Sequence, residues 1–369
     1  MIYLNHAGTS WPKPECVVRA CAEALERTPA DWPEDFEAGH RTVAKHLGIS
    51  DRSQLLLTPG CTSALAVAIA DFVLRPGDRI LCSSFEHHAL HRPLLKRAEQ
   101  GHDLSVVPPS ETGPFALDKF EDELRQGNVK LVGVTAAANV TGDLLPVKEV
   151  CELAHQYDAK VLVDGAQVVG WLDLELDRLP IDMFAFGGHK GLQSPWGIGG
   201  LYVASDVEMN TPAATCEISS SQPCTIRPDY CDVGSVDRIA LYALERAIGW
   251  LEQRPQRLTK AREQIAKIQL VTETLPGVVR CGQEDPNQRV PTVAFGFRQE
   301  ATKASSTEIA AAIHEAGVSV ASGLQCAPLA HQMLGTSDQG LLRVSVGPMT
   351  EDADIDDACE ALTNFRLPA

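Results

Sequence analysis

Ionisable and amide side chains stand at the ends of four apolar runs. Glu86-His87-His88 follow RILCSS (79–84), and Asn139 lies just beyond KLVGVT (130–135). Asp164 closes KVLVD (160–164), with Gln167 three residues on, and His189-Lys190 follow DMFAFG (182–187). A carboxylate at the end of an apolar strand loses solvation unless hydrogen bonds or a cation offset the loss. A protonated ring nitrogen is one such cation. Taken singly, Asp164 reads as a turn or cap residue and Lys190 as a solvated surface amine.

Taken together with Gln167, His87 and Asn139, the pair suits a cofactor that bonds covalently to a lysine amine and needs a carboxylate beside a pyridinium nitrogen. Pyridoxal phosphate has both needs, and its phosphate also requires backbone N–H groups at a helix start. Thr58-Pro59-Gly60-Cys61-Thr62-Ser63 lies between an apolar run and an apolar helical pattern. There the amides of Cys61 and Thr62 and the Thr62 hydroxyl could meet an anion.

The elements that must position these residues read as α/β. The strand-like runs RILCSS, DLSVVP (103–108), KLVGVT, KVLVD, DMFAFG and GGLYVA (199–204) alternate with helical patterns over 61–74, 117–126 and 146–158. Such alternation predicts a mostly parallel sheet, whose ligands lie at the carboxyl ends of its strands. A loop-like stretch covers 205–234, and a long helix over 235–253 has Ser235 as its expected N-cap. Beyond it, helix at 258–273, strand at 290–297, helix at 307–317, strands at 318–322 and 341–347 and helix at 351–363 predict a smaller α+β domain. The expected division is an N-terminal segment plus large domain over 1–254 and a small domain over 255–369.

A chain of 369 residues accommodates two such domains. Its net charge of −17 and lack of a basic cluster argue against a nucleic-acid partner and favour small metabolites. No basic and apolar leader and no long apolar window is present, so neither secretion nor membrane insertion is expected. The 11 cysteines form no CxxC pair and no zinc-like spacing, which predicts no metal site and a reducing, cytoplasmic setting. No GxGxxG follows an early strand, so a dinucleotide fold is disfavoured.

An ordered set of motifs resembles the class V aminotransferase group of pyridoxal-phosphate enzymes, and within it the cysteine desulfurase and selenocysteine lyase branch. The pieces are YLNHAGTSWPKP, PGCTSAL, FEHHALHRPL, ANVTGDLLPV, VLVDGAQVVG, FGGHKGLQSPWGIGGLYV and GLQCAPLAHQMLGTSDQGLLRVSVG, in family order over most of the chain. The resemblance implies fold type I, with a mostly parallel seven-stranded sheet in the large domain. It implies Lys190 as covalent anchor and proton shuttle, Asp164 at the pyridine nitrogen, Gln167 at the ring oxygen and His87 on the ring face and in acid/base steps. Cys61, Thr62 and His189 would hold the phosphate, with Ser235 as a contact shared across a homodimer. Arg343 would bind the substrate carboxylate, and Asn139, Ala7 and Gly8 would also contact the bound molecules. Cys326 falls at the nucleophile that takes sulfur from L-cysteine as a persulfide, leaving alanine, with a sulfur-acceptor protein as a further partner and selenocysteine as another substrate.

Four positions and one stretch depart from the desulfurase pattern: Ala136 and Gln325 stand where histidines are usual, Gly187 where a hydroxyl residue is usual, Ala321 where an arginine is usual, and DVGSVD (232–237) where Gly-Thr-Pro-Asn is usual. The same Lys190, Asp164, His87 and Arg343 would also serve C–S lysis, transamination or epimerisation of an amino acid. A non-catalytic module on the same fold is the remaining alternative.

Overall fold

The computed structural model describes residues 1–111, 113–210, 215–216, 232–233 and 236–368. Its strands are β1 (Ile2–Tyr3), β2 (Leu55–Thr58), β3 (Arg79–Ser83), β4 (Asp103–Val107), β5 (Val129–Thr135), β6 (Lys160–Asp164), β7 (Met183–Gly187), β8 (Gly199–Val203), β9 (Thr215–Cys216), β10 (Asp232–Val233), β11 (Val278–Cys281), β12 (Thr292–Phe297), β13 (Val318–Ser319) and β14 (Leu342–Ser345). The helices are α1 (Glu15–Glu26), α2 (Trp32–His46), α3 (Cys61–Asp71), α4 (His88–Glu99), α5 (Leu117–Arg125), α6 (Val147–Gln156), α7 (Arg238–Glu252), α8 (Arg257–Glu273), α9 (Ser306–Glu315), α10 (Pro328–Leu334) and α11 (Asp352–Asn364).

The expected seven-stranded sheet is present, in the order β2-β8-β7-β6-β5-β3-β4. Only β8 runs against the others. Strands β5, β6 and β7 are apolar almost throughout because both faces of the sheet are covered. Alternation along the strand still divides the two sides: Val161 and Val163 of β6 enter one core cluster, and Leu162 enters the cluster beneath α3 and α4. Asp164 therefore ends the central strand, flanked by Thr135 of β5 and Ala185 of β7.

In the C-terminal part, β11-β12-β14 form an antiparallel sheet, with β12 pairing to both neighbours. Residues of α8, α9 and α11 share a separate apolar cluster with this sheet. The first residues of the chain join it: β1 pairs in parallel with β13, and Leu4 lies in the C-terminal cluster. The chain then crosses to the large sheet, so the segment after Leu4 spans both.

The long helix differs from expectation at its start. It begins at Arg238, and its N-cap is Asp237, whose carboxylate accepts from the Ala240 N–H at 2.9 Å. An aspartate three residues before the orphan amide is as good a cap as serine, and the chain there offered both. Ser235 lies outside the described residues.

Candidate active site

The carboxyl ends of β3, β5, β6 and β7 surround a cavity of about 240 Å³. Its walls include Cys61, Thr62, His87 and Asn139, and also Asp164, Gln167, His189 and Lys190. Eight of the residues picked out in the sequence thus meet in one place, from five separate segments of the chain.

Asp164 is 4% exposed. Its Oδ1 accepts from the Ala166 N–H at 2.9 Å and from the Cys61 thiol at 3.3 Å. With one oxygen engaged twice, the other remains for a cationic partner. Lys190 follows β7 in a loop tied down on both sides. The Gly188 N–H donates to Ile198 O at 2.9 Å, and His189 O accepts from the Ser10 N–H and the Lys13 ammonium, each at 3.0 Å. The turn after Lys190 also needs close backbone approach: a Cβ at Gly170, whose φ is +86°, would lie 2.3 Å from the carbonyl carbon of Gly191. Burial holds the Lys190 amine below its usual pKa; Asp164, Cys61 and Cys326 oppose that shift, while Arg343 adds to it.

Helix α3 starts at this cavity without a side-chain cap on its N-terminus. The first-turn amides of such a helix, aided by its dipole, form an anion site. His189, on the same wall, pairs through Nδ1 with Thr9 Oγ1 at 3.1 Å. Its burial, with Lys190 and Lys13 nearby, lowers its pKa to about 4.

His87 has a role that spacing did not show: it is the N-cap of α4, its Nδ1 accepting from the Ala89 N–H at 3.0 Å. Its proton then belongs on Nε2. Burial first and the Lys190 charge second lower its pKa to about 4, so the ring is neutral near pH 7. Beneath it, Glu86 is fully enclosed; its Oε1 accepts from the Ser83 hydroxyl and, at 2.9 Å, from the Thr135 N–H. Burial raises this carboxyl to about 8 despite those bonds, and Asp164 pushes the same way.

Arg343 and Cys326 stand beside the cavity. Arg343 is 5% exposed and donates from Nη1 to Asn139 O at 2.8 Å and from Nη2 to Asn5 Oδ1 at 2.9 Å. Its Nε and the Asn139 Oδ1 are buried atoms with no protein partner. Burial lowers Arg343 to about 10, and Tyr3 and Cys326 oppose that shift. Cys326 is exposed, and its carbonyl accepts from the His88 N–H at 2.8 Å. Ala7 and Gly8 are backbone supports here: Ala7 O accepts from Gln167 Nε2 at 3.1 Å, and the Gly8 N–H donates to Asn5 O at 3.0 Å.

Three groups escaped the reading by motif. Asn5 grips Arg343, the Cys61 thiol reaches Asp164, and Lys13 is held 2.6 Å from Ser10 Oγ, where burial lowers its pKa to about 8. Asn5 and Lys13 both lie in YLNHAGTSWPKP, but nothing in their spacing says what they touch. Among the described residues, no cluster of His, Cys, Asp and Glu could hold a metal ion, and no helix is long and apolar enough to cross a membrane.

A family model described as aminotransferase class-V matches residues 2–357. The chain belongs to the class-V aminotransferase family. Among class-V relatives, it is 28% identical to a probable cysteine desulfurase of Vibrio cholerae, over 94% of this chain and 89% of the relative. The apo cysteine desulfurase of Thermococcus onnurineus superposes with a TM-score of 0.88 at 22% identity, covering 98% of this chain and 94% of the other. A cysteine desulfurase of Escherichia coli solved in an S-sulfonic acid form gives a TM-score of 0.85 at 25% identity, covering 98% and 93%. The class-V fold of this chain is fold type I, α/β with a mostly parallel central sheet.

Proposed function

We propose that this class-V protein is a pyridoxal-phosphate-dependent cysteine desulfurase, which converts L-cysteine to L-alanine and receives the sulfur as a persulfide on Cys326. The observation that carries the reading is geometric: the Cys326 backbone is tied to the cavity wall through the His88 N–H and, at Gln325, through Asn139 Nδ2, while Ala321 of the same segment pairs with Arg343. The named activity of full-length relatives supports it.

The residues fit the cofactor. The uncapped start of α3 suits a phosphate, and the lone engaged oxygen of Asp164 leaves the other for a protonated ring nitrogen. Burial shifts Lys190 toward the free amine that covalent attachment needs. Asn139 Oδ1 is a buried acceptor awaiting a donor. When bound, pyridoxal phosphate supplies an electron-withdrawing ring that stabilises negative charge on the substrate skeleton.

Arg343 then holds the substrate carboxylate, its guanidinium already oriented by Asn139 O and Asn5. Lys190 takes the proton from the substrate α-carbon and returns a proton later. The Cys326 thiolate attacks the substrate sulfur; an S–S bond forms, the Cβ–S bond breaks, and its electron pair stays on the carbon skeleton. Protonation at Cβ gives the methyl group of alanine. His87, neutral and fixed through Nδ1, offers a donor at Nε2 and a ring face for the cofactor.

A cytoplasmic homodimer with shared active sites, Ser235 contributing across the interface, and a sulfur-acceptor protein complete the proposal, with the domain boundary near residue 254. The experiment is product analysis: the holoenzyme with L-cysteine and a thiol reductant yields alanine and sulfide in equal amounts. Pyruvate and ammonia in place of alanine would assign C–S lysis instead.

A further inference from the structure

We propose that Gln325, backed by His331, is a positioning residue: it clamps the Cys326 loop against Asn139 and the first turn of α4, at a fixed place relative to Arg343. The inference rests on the reading of Cys326 as nucleophile.

Gln325 and Cys326 have φ values of +40° and +60°. Two successive side chains in the left-handed region are disfavoured, and such backbone persists only where its surroundings hold it. Here the holding groups are explicit. The Gln325 carbonyl accepts from Asn139 Nδ2 at 2.6 Å. Its side-chain Nε2 donates to Leu341 O at 2.7 Å, and its Oε1 meets His331 Nε2 at 3.1 Å. Because Oε1 can only accept, the His331 proton is on Nε2, and Nδ1 accepts from the Thr336 hydroxyl at 2.8 Å. His331 is fully buried, so this tautomer is locked into the wall behind the loop.

Cys326 is pinned from the other side by the His88 N–H, at 2.8 Å from its carbonyl. The chain leading into the loop also zips onto β14. Ala321 and Arg343 exchange N–H···O bonds at 3.0 and 2.8 Å, and the Leu341 N–H donates to Gly323 O at 3.1 Å. Nucleophile and guanidinium are thus carried on one hydrogen-bonded ladder, and Gln325 is its last rung. An amide suits the place because it donates to one partner and accepts from the other. The Arg343 end of the ladder is also held by Asn139 O and Asn5 Oδ1, so the Gln325 rung sets the reach of the Cys326 sulfur while the carboxylate grip has its own supports.

The test compares wild-type holoenzyme with Gln325→Ala and, should that variant fold poorly, Gln325→Glu, which keeps the volume but cannot donate to Leu341 O. Hydrogen exchange reads the loop without turnover; alanine formation from L-cysteine gives kcat and KM; L-alanine, followed by the cofactor absorbance, reads carboxylate binding. In both variants, amides at 321–327 and at His88 exchange faster. We expect kcat to fall by about tenfold to a hundredfold, while KM and L-alanine binding stay within about twofold. Unchanged exchange with unchanged kcat overturns the inference, as does a loss of L-alanine binding parallel to the loss of kcat. Should wild-type enzyme form no alanine at all, the desulfurase reading fails, and the exchange data alone still decide whether Gln325 clamps the loop.

Discussion

The Cys61 thiol donates to Asp164 Oδ1 at 3.3 Å, joining the first residue of α3 to the last residue of the central strand. Where the helix start serves a phosphate and the carboxylate serves a ring nitrogen, one residue touches both ends of the cofactor's site. Burial and the Asp164 charge keep this thiol protonated, well above its ordinary pKa.

Cys61→Ala removes one donor to a charged acceptor. Pyridoxal-phosphate affinity should fall by about fivefold to tenfold, on the order of 1 kcal/mol, and the pH titration of the bound-cofactor absorbance should move. Cys61→Ser, which restores a donor, should stay near wild type. Fluorescence titration of apoenzyme with the cofactor measures the affinity.

Gly187 stands where a hydroxyl is usual, yet the packing does not require glycine. A Cβ there would lie 3.5 Å from the Cβ and the backbone N of Cys61, an ordinary contact. Gly187→Ser should therefore fold normally and place a hydroxyl beside the anion site, tightening cofactor binding by about threefold to tenfold. The same titration reads it; weaker binding would mean that the hydroxyl cannot reach the phosphate.

Glu86 predicts a pH dependence of stability. Its folded pKa, about 8, lies above that of an unfolded glutamate. The folded state therefore holds a proton that the unfolded state releases between those values. The stabilisation is complete below the unfolded pKa and is lost as pH rises through about 8, with a slope of at most about 1.4 kcal/mol per pH unit. Glu86→Gln should flatten that slope, so urea unfolding of the two proteins at about pH 5 and about pH 8 should diverge most at the higher pH.

Arg343 uses two of its nitrogens on Asn139 O and Asn5 Oδ1, which aligns the planar fork before substrate arrives. Lysine has no fork. Arg343→Lys should lower kcat/KM for L-cysteine by about a hundredfold, mostly through KM, while leaving the cofactor band unchanged.

Much of this site was legible because strand-end chemistry survives in sequence: an acid after VLV, a lysine after FAF and a glycine turn before an apolar helix are local patterns. The β5, β6 and β7 boundaries came within a residue for the same reason, since buried parallel strands are short apolar runs. Contacts between distant segments were not legible. Asn5 and Arg343 lie 338 positions apart, and the partners of Asn139 and Gln325 lie on separate elements. His87 as a cap was hidden because histidine is not a usual N-cap residue, and the cap at Asp237 was masked by a serine two residues earlier. Gln325 read as a lost histidine; in the fold it has its own work, bonded to His331 and Leu341.

The most direct measurement is a single turnover of L-cysteine by wild-type and Cys326→Ser holoenzymes, without reductant, followed by peptide mass analysis and alanine assay. The account predicts that wild-type enzyme forms one alanine per site and carries one extra sulfur on the Cys326 peptide, while Cys326→Ser keeps its cofactor absorbance and forms neither. Alanine and sulfide from Cys326→Ser at the wild-type rate would contradict it.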